Sequence, residues 1–89
     1  MKWKVVVSND RKTMKASKVL DCIGLYCPIP VMRTNEEVDK LSIGDTLEVL
    51  ADDSAAEPDI KAWAKRRGQK ILEIERTDEG LRILIQKIH

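Results

Sequence analysis

The alternation of apolar and polar positions divides most of the chain into stretches of two different periods. Ala16 to Cys22 reads as a strand, ended by the turn residue Gly24. Val31, Val38 and Leu41 then recur at helical spacing with Arg33, Glu36, Glu37 and Asp39 between them, which predicts an amphipathic helix from Pro30 to about Lys40. Thr46 to Ala51 alternates Leu47 and Val49 against Thr46 and Glu48, the period of a strand, and its apolar content predicts a central place in a sheet. Ile60, Trp63 and Ala64 share one face of a second helix, beginning at Ala55 or Pro58, and Lys65, Arg66 and Arg67 before Gly68 form its basic last turn and glycine stop. Lys70 to Arg76 and Leu81 to Ile88 are rich in Ile and Leu and flank Thr77-Asp78-Glu79-Gly80, a loop with hairpin chemistry.

The predicted order is β-α-β-α-β-β. One mixed sheet of four strands with both helices on one face would bury all these stripes, so the expected class is α+β, a two-layer α/β sandwich. Residues 1–14, with the apolar run Val5 to Val7 and a polar, basic sequel, stand apart as an N-terminal extension, either an extra edge strand or flexible; 15–89 is expected to form a single domain. Asp52-Asp53-Ser54 precedes the second helix, and Ser54 with Glu57 has the capping-box form, so helix capping accounts for both aspartates.

Composition narrows the function more than the fold. Sixteen basic residues against fifteen acidic leave a net charge of +1, which implies no large nucleic-acid footprint. The aromatics are Trp3, Tyr26 and Trp63 alone, so the core is aliphatic and offers no stacking array for bases. No apolar run approaches the ~18 residues of a membrane span, and the charged N-terminus lacks a secretory core. The expected compartment is the cytoplasm, where Cys22 and Cys27 are reduced thiols.

Chemistry gathers at Cys27. The run Leu20-Asp21-Cys22-Ile23-Gly24-Leu25-Tyr26-Cys27-Pro28-Ile29-Pro30 leads from a strand through a glycine turn to a cysteine at a helix entrance. Backbone N–H groups there lack intrahelical partners, and the helix dipole is positive, so a depressed thiol pKa, about 3.5 to 7.5 against ~8.5, is the expectation. Pro28 and Pro30 stiffen the loop and leave the N–H groups of Ile29 and Val31 as the nearest that could face the sulfur; the restriction on Ile29 favours a helix start at Pro30. The only histidine is His89, so a base-assisted cysteine hydrolase is disfavoured. Two cysteines and a terminal histidine make no convincing zinc set, and no metal or organic cofactor is implied. Thiol or persulfide exchange needs neither base nor metal.

Leu20-Asp21, Gly24-Leu25 and Cys27-Pro28-x-Pro30, followed by a helix and the Asp52-Asp53 to Gly68 segment, resemble the TusA-like sulfur-carrier family, with its SirA and YedF groups. The resemblance covers about Lys15 to Arg76. It implies a β-α-β-α-β-β domain whose Cys27 accepts sulfur as a persulfide from a donor, such as a cysteine desulfurase or rhodanese-like protein, and hands it to an acceptor protein. Cys27 would be the nucleophile, Asp21, Gly24, Pro28 and Pro30 would shape its loop, and Arg33 could steer an anionic donor or partner. Cys22 reads either as a packed core thiol or as a resolving thiol for Cys27. Two other functions fit the same residues: a regulatory or interaction module without sulfur chemistry, and a thiol oxidoreductase using Cys22 and Cys27.

Overall fold

Residues 16–89 are described in a computed structural model of the chain, and the expected extension 1–14 lies outside the described residues. The elements run β1 (Lys18–Cys22), α1 (Ile29–Lys40), β2 (Thr46–Ala51), α2 (Ala56–Arg67), β3 (Lys70–Thr77) and β4 (Gly80–Gln86). The sheet order is β1-β2-β4-β3. β1 lies parallel to β2, while β4 is antiparallel to both β2 and β3, so the sheet is mixed as expected. The parallel pair needs a crossover, which α1 supplies; β3 and β4 need only the short turn at Asp78-Glu79.

The period-2 pattern fixes the register. Leu47, Val49 and Ala51 of β2 pair with Ile85, Ile83 and Leu81 of β4, and all six side chains enter the core. Val38 of α1 and Ala56, Ile60, Trp63 and Ala64 of α2 close over them, so both helices cover one face. The buried stripe of α1 is Pro30, Thr34 and Val38, offset from the expected Val31 and Leu41, which pack at the core's margin. Thr34 can be buried because its hydroxyl donates to the carbonyl of Pro30 at 2.7 Å. On the other face Arg82 sits among Glu48, Glu73 and Glu75 at 3.3 to 3.4 Å.

The helix entrances differ from expectation. α1 begins at Ile29 rather than Pro30: the N–H of Met32 already bonds the carbonyl of Pro28 at 3.0 Å, and Pro30 falls where its missing N–H costs no helical bond. Ser54 is not the cap of α2. Ala55 occupies that place without a side-chain cap bond, and Asp53 instead receives the Ala55 N–H on Oδ1 at 3.3 Å. The exit of α2 follows the sequence, with Gly68 at φ 73° beyond Lys65, Arg66 and Arg67. At the hairpin tip Gly80 abuts the backbone of Ala51 and Asp52 so closely that a Cβ would collide with them.

Candidate functional site

β1 and β2 are parallel neighbours, so both deliver their C-terminal ends, Cys22 and Ala51, to the same edge of the sheet. The loop bearing Cys27 leaves one end and the Asp52-Asp53 segment leaves the other. The two segments are joined by side chains from the second to backbone of the first. Asp52 Oδ1 accepts the N–H of Gly24 at 2.9 Å, and Asp53 Oδ2 accepts the N–H of Cys27 at 2.8 Å. Asp21 Oδ1 accepts the N–H of Ile23 at 3.0 Å, and Gly24 turns at φ 86°, a conformation that disfavours side chains. The Cys27–Pro28 peptide bond is cis.

Cys27 is partly exposed and Pro30 is buried, so the two motif prolines divide the work: Pro28 stands at the surface beside the thiol, and Pro30 anchors the helix in the core. Ile23, Tyr26, Ile29 and Met32 form an exposed apolar rim, with Tyr26 75% exposed. Asp59 and Arg66 of α2 line a shallow cleft of about 170 Å³ with Pro28, Val31 and Ala62. The carboxylates of Asp59 and Asp53 act electrostatically on the Cys27 thiol.

These neighbours reverse the expected acidity of the thiol. Burial, then hydrogen bonding to Asp59 and the negative charges of Asp59 and Asp53, push Cys27 from its ordinary 9.0 up to about 11. Two N–H groups near the helix entrance are already engaged, that of Cys27 by Asp53 and that of Ile29 by the carbonyl of Tyr26 at 2.9 Å. Asp53 itself is held below the usual carboxylate range by the backbone N–H groups of Cys27 and Ala55. Cys27 is thus a neutral thiol at pH 7.

Cys22, only five positions earlier, is fully buried in the core, and burial raises its pKa too. Both cysteines are free thiols. Arg33 is exposed and its charge acts on Cys22; it is not among the groups that set the acidity of Cys27. Among the described residues no group of acidic, histidine and cysteine side chains is arranged to hold a metal ion.

The residues that the sequence reading undervalued are Asp52, Asp53 and Asp59. Local capping explained the first two, yet they serve backbone 28 and 26 positions away. One signal was available: in sheets with parallel neighbours, sites form outside the carboxyl ends of the strands, where this acidic pair follows β2.

A small two-layer fold that presents one accessible thiol on a fixed loop is the frame of a protein that carries or exchanges a group on sulfur. The family model for sulfurtransferase TusA matches residues 18–87, and the chain belongs to that family. A protein of Archaeoglobus fulgidus named as a sulfur carrier is 44% identical over 71 residues, covering 80% of this chain and 92% of its own length. YrkI of Bacillus subtilis, likewise named as a sulfur carrier, is 47% identical over 76 residues, covering 83% of this chain and 99% of its own. The crystal structure of a SirA-like protein from Desulfitobacterium hafniense superposes with a TM-score of 0.72 at 26% identity, covering 81% of this chain and 99% of that one.

Proposed function

We propose that this protein carries sulfur as a persulfide on Cys27, taking it from a donor protein and relaying it to an acceptor protein. The observation that carries the reading is the partly exposed Cys27 thiol, held by Asp53 through its own N–H, in a chain of the TusA family. In loading, Cys27 Sγ bonds to the outer sulfur of the donor's persulfide, the donor's S–S bond breaks, and its inner sulfur leaves with the electron pair and receives the proton from Cys27. Sulfur moves without a net oxidant or reductant. Asp21, Gly24, Pro28 and Pro30 position the loop, and the apolar rim of Ile23, Tyr26, Ile29 and Met32 gives a partner a surface to cover while the sulfur passes. A cysteine desulfurase or rhodanese-like protein is the proposed kind of donor, and Arg33, exposed on α1, a candidate docking residue.

The complete burial of Cys22 supports a packing role over a resolving one, since a resolving thiol has to be accessible for exchange. Among the described residues no helix is long and apolar enough to cross a membrane. A reducing compartment such as the cytoplasm suits an exposed thiol carrier.

Intact-mass analysis after incubation with a persulfide donor tests the reading. One added sulfur is expected on the wild type and on Cys22→Ser, and none on Cys27→Ser. An adduct that survives Cys27→Ser, or no adduct on any form, overturns it.

A further inference from the structure

The carboxylates around Cys27 bear on a question that carrying leaves open, namely which way the sulfur is pushed once it is on. The following inference rests on the carrier reading above. A persulfide is more acidic than its parent thiol, so at pH 7 the loaded site carries more negative charge than the empty site, whose thiol is neutral. Asp53 is fixed beside this group, with Oδ2 2.8 Å from the Cys27 nitrogen and Oδ1 on the Ala55 N–H, and is therefore kept ionised. Asp59, on α2, lines a cleft with Pro28, the residue next to Cys27, and with Val31, Ala62 and Arg66. Arg66 is the cation of that cleft, while the charge of Arg33 falls on Cys22. The same carboxylates already oppose negative charge on the Cys27 thiolate.

We propose that Asp53 and Asp59 destabilise the loaded form of Cys27 by repelling its persulfide anion, so that the carrier is electrostatically biased toward giving its sulfur away. In delivery, an acceptor thiol bonds to the outer sulfur, the S–S bond of the Cys27 persulfide breaks, and Cys27 Sγ takes the electron pair and the acceptor's proton. The neutral thiol is restored, and the negative charge departs on the acceptor's new persulfide. Atoms, electrons and charge balance without a further reactant. The bias acts on the equilibrium position of the transfer, whatever partner supplies the thiol.

The test is an exchange equilibrium with cysteine persulfide held at a fixed ratio to cysteine, the loaded fraction being read by intact mass after alkylation. Asp59 is exposed, so Asp59→Asn removes its charge without opening the core. The loading constant is expected to rise about fivefold in Asp59→Asn, the upper range for a solvent-exposed charge pair, and to stay at the wild-type value in Asp59→Glu. Salt screens the repulsion, so wild-type loading should increase with ionic strength and Asp59→Asn loading should respond less. Equal or lower loading in Asp59→Asn, with the wild type loading normally, overturns the bias and leaves the carrier reading standing. Absence of a Cys27 adduct in every form removes both.

Discussion

The two helix entrances stand in contrast. α2 begins with Glu57 and Asp59 in its first turn and ends with Lys65, Arg66 and Arg67 before Gly68, so its charges follow its dipole from end to end. α1 has no acidic residue in its first turn and no side-chain cap on Pro28. Its approach is stabilised from outside instead, by Asp52 and Asp53 of the segment that leads into α2. The acidic residues near one helix start thus serve both, and the price falls on the thiol, which has their carboxylates beside it. A helix entrance favours an anion only when its donors are unclaimed.

The contrast is broken most severely by separating the helices. Trp63 is buried in α2 and donates from Nε1 to Asn35 Oδ1 of α1 at 2.9 Å, where Arg67 also donates at 2.6 Å. Trp63→Ala should cost roughly 3–5 kcal/mol in chemical denaturation, whereas Trp63→Phe, which keeps most of the packing and loses that bond, should cost about 1 kcal/mol. At the exit of α2, Gly68 has φ 73°, and a Cβ there would meet the ring of His89 at 2.8 Å; Gly68→Ala should lower stability by about 1 kcal/mol.

The subtler tests concern protons. The folded pKa of Cys27 lies above its unfolded value, so its contribution to stability is complete below pH 9 and is lost as pH rises through about 11. Denaturation midpoints should therefore fall across that window in the wild type and fall less in Cys27→Ser. Asp53 has the opposite sign: its folded pKa is depressed, so its contribution is present at neutral pH and lost as the solution is acidified below the usual carboxylate range. Asp53→Asn should flatten that acid-side loss. It should also lower the pH midpoint for iodoacetamide alkylation of Cys27, because one of the charges opposing the thiolate is gone; an unchanged midpoint would show that Asp53 acts on the loop alone.

The sequence made the architecture legible where local pattern and burial agree. β2 occupies the predicted Thr46 to Ala51, because half-buried alternation has one stable register against β4. Gly68 stops α2 because a glycine after three basic residues satisfies cap geometry and dipole together. The site was legible only in part. Cys27, Gly24 and the two prolines announce themselves within one short run, but the acidity of Cys27 is set by Asp53 and Asp59, which reach it through the fold. Asp53 illustrates the difficulty: one oxygen makes a local bond to Ala55, as capping rules suggest, while the other crosses to Cys27. A rule about neighbours in sequence sees only the first.

Gly80 carries a consequence for the order in which the protein is made. Its contact with Ala51 and Asp52 places the hairpin tip directly behind the segment that holds the thiol loop, and β4 is the strand that joins β2 to β3. During synthesis Cys27 leaves the ribosome well before either is available, since chains emerge from the N-terminus. The nascent chain therefore displays an ordinary, more readily ionised cysteine, open to passing oxidants and electrophiles. Its proton-retaining state arrives only when the chain has folded and brought Asp53 and Asp59 beside it.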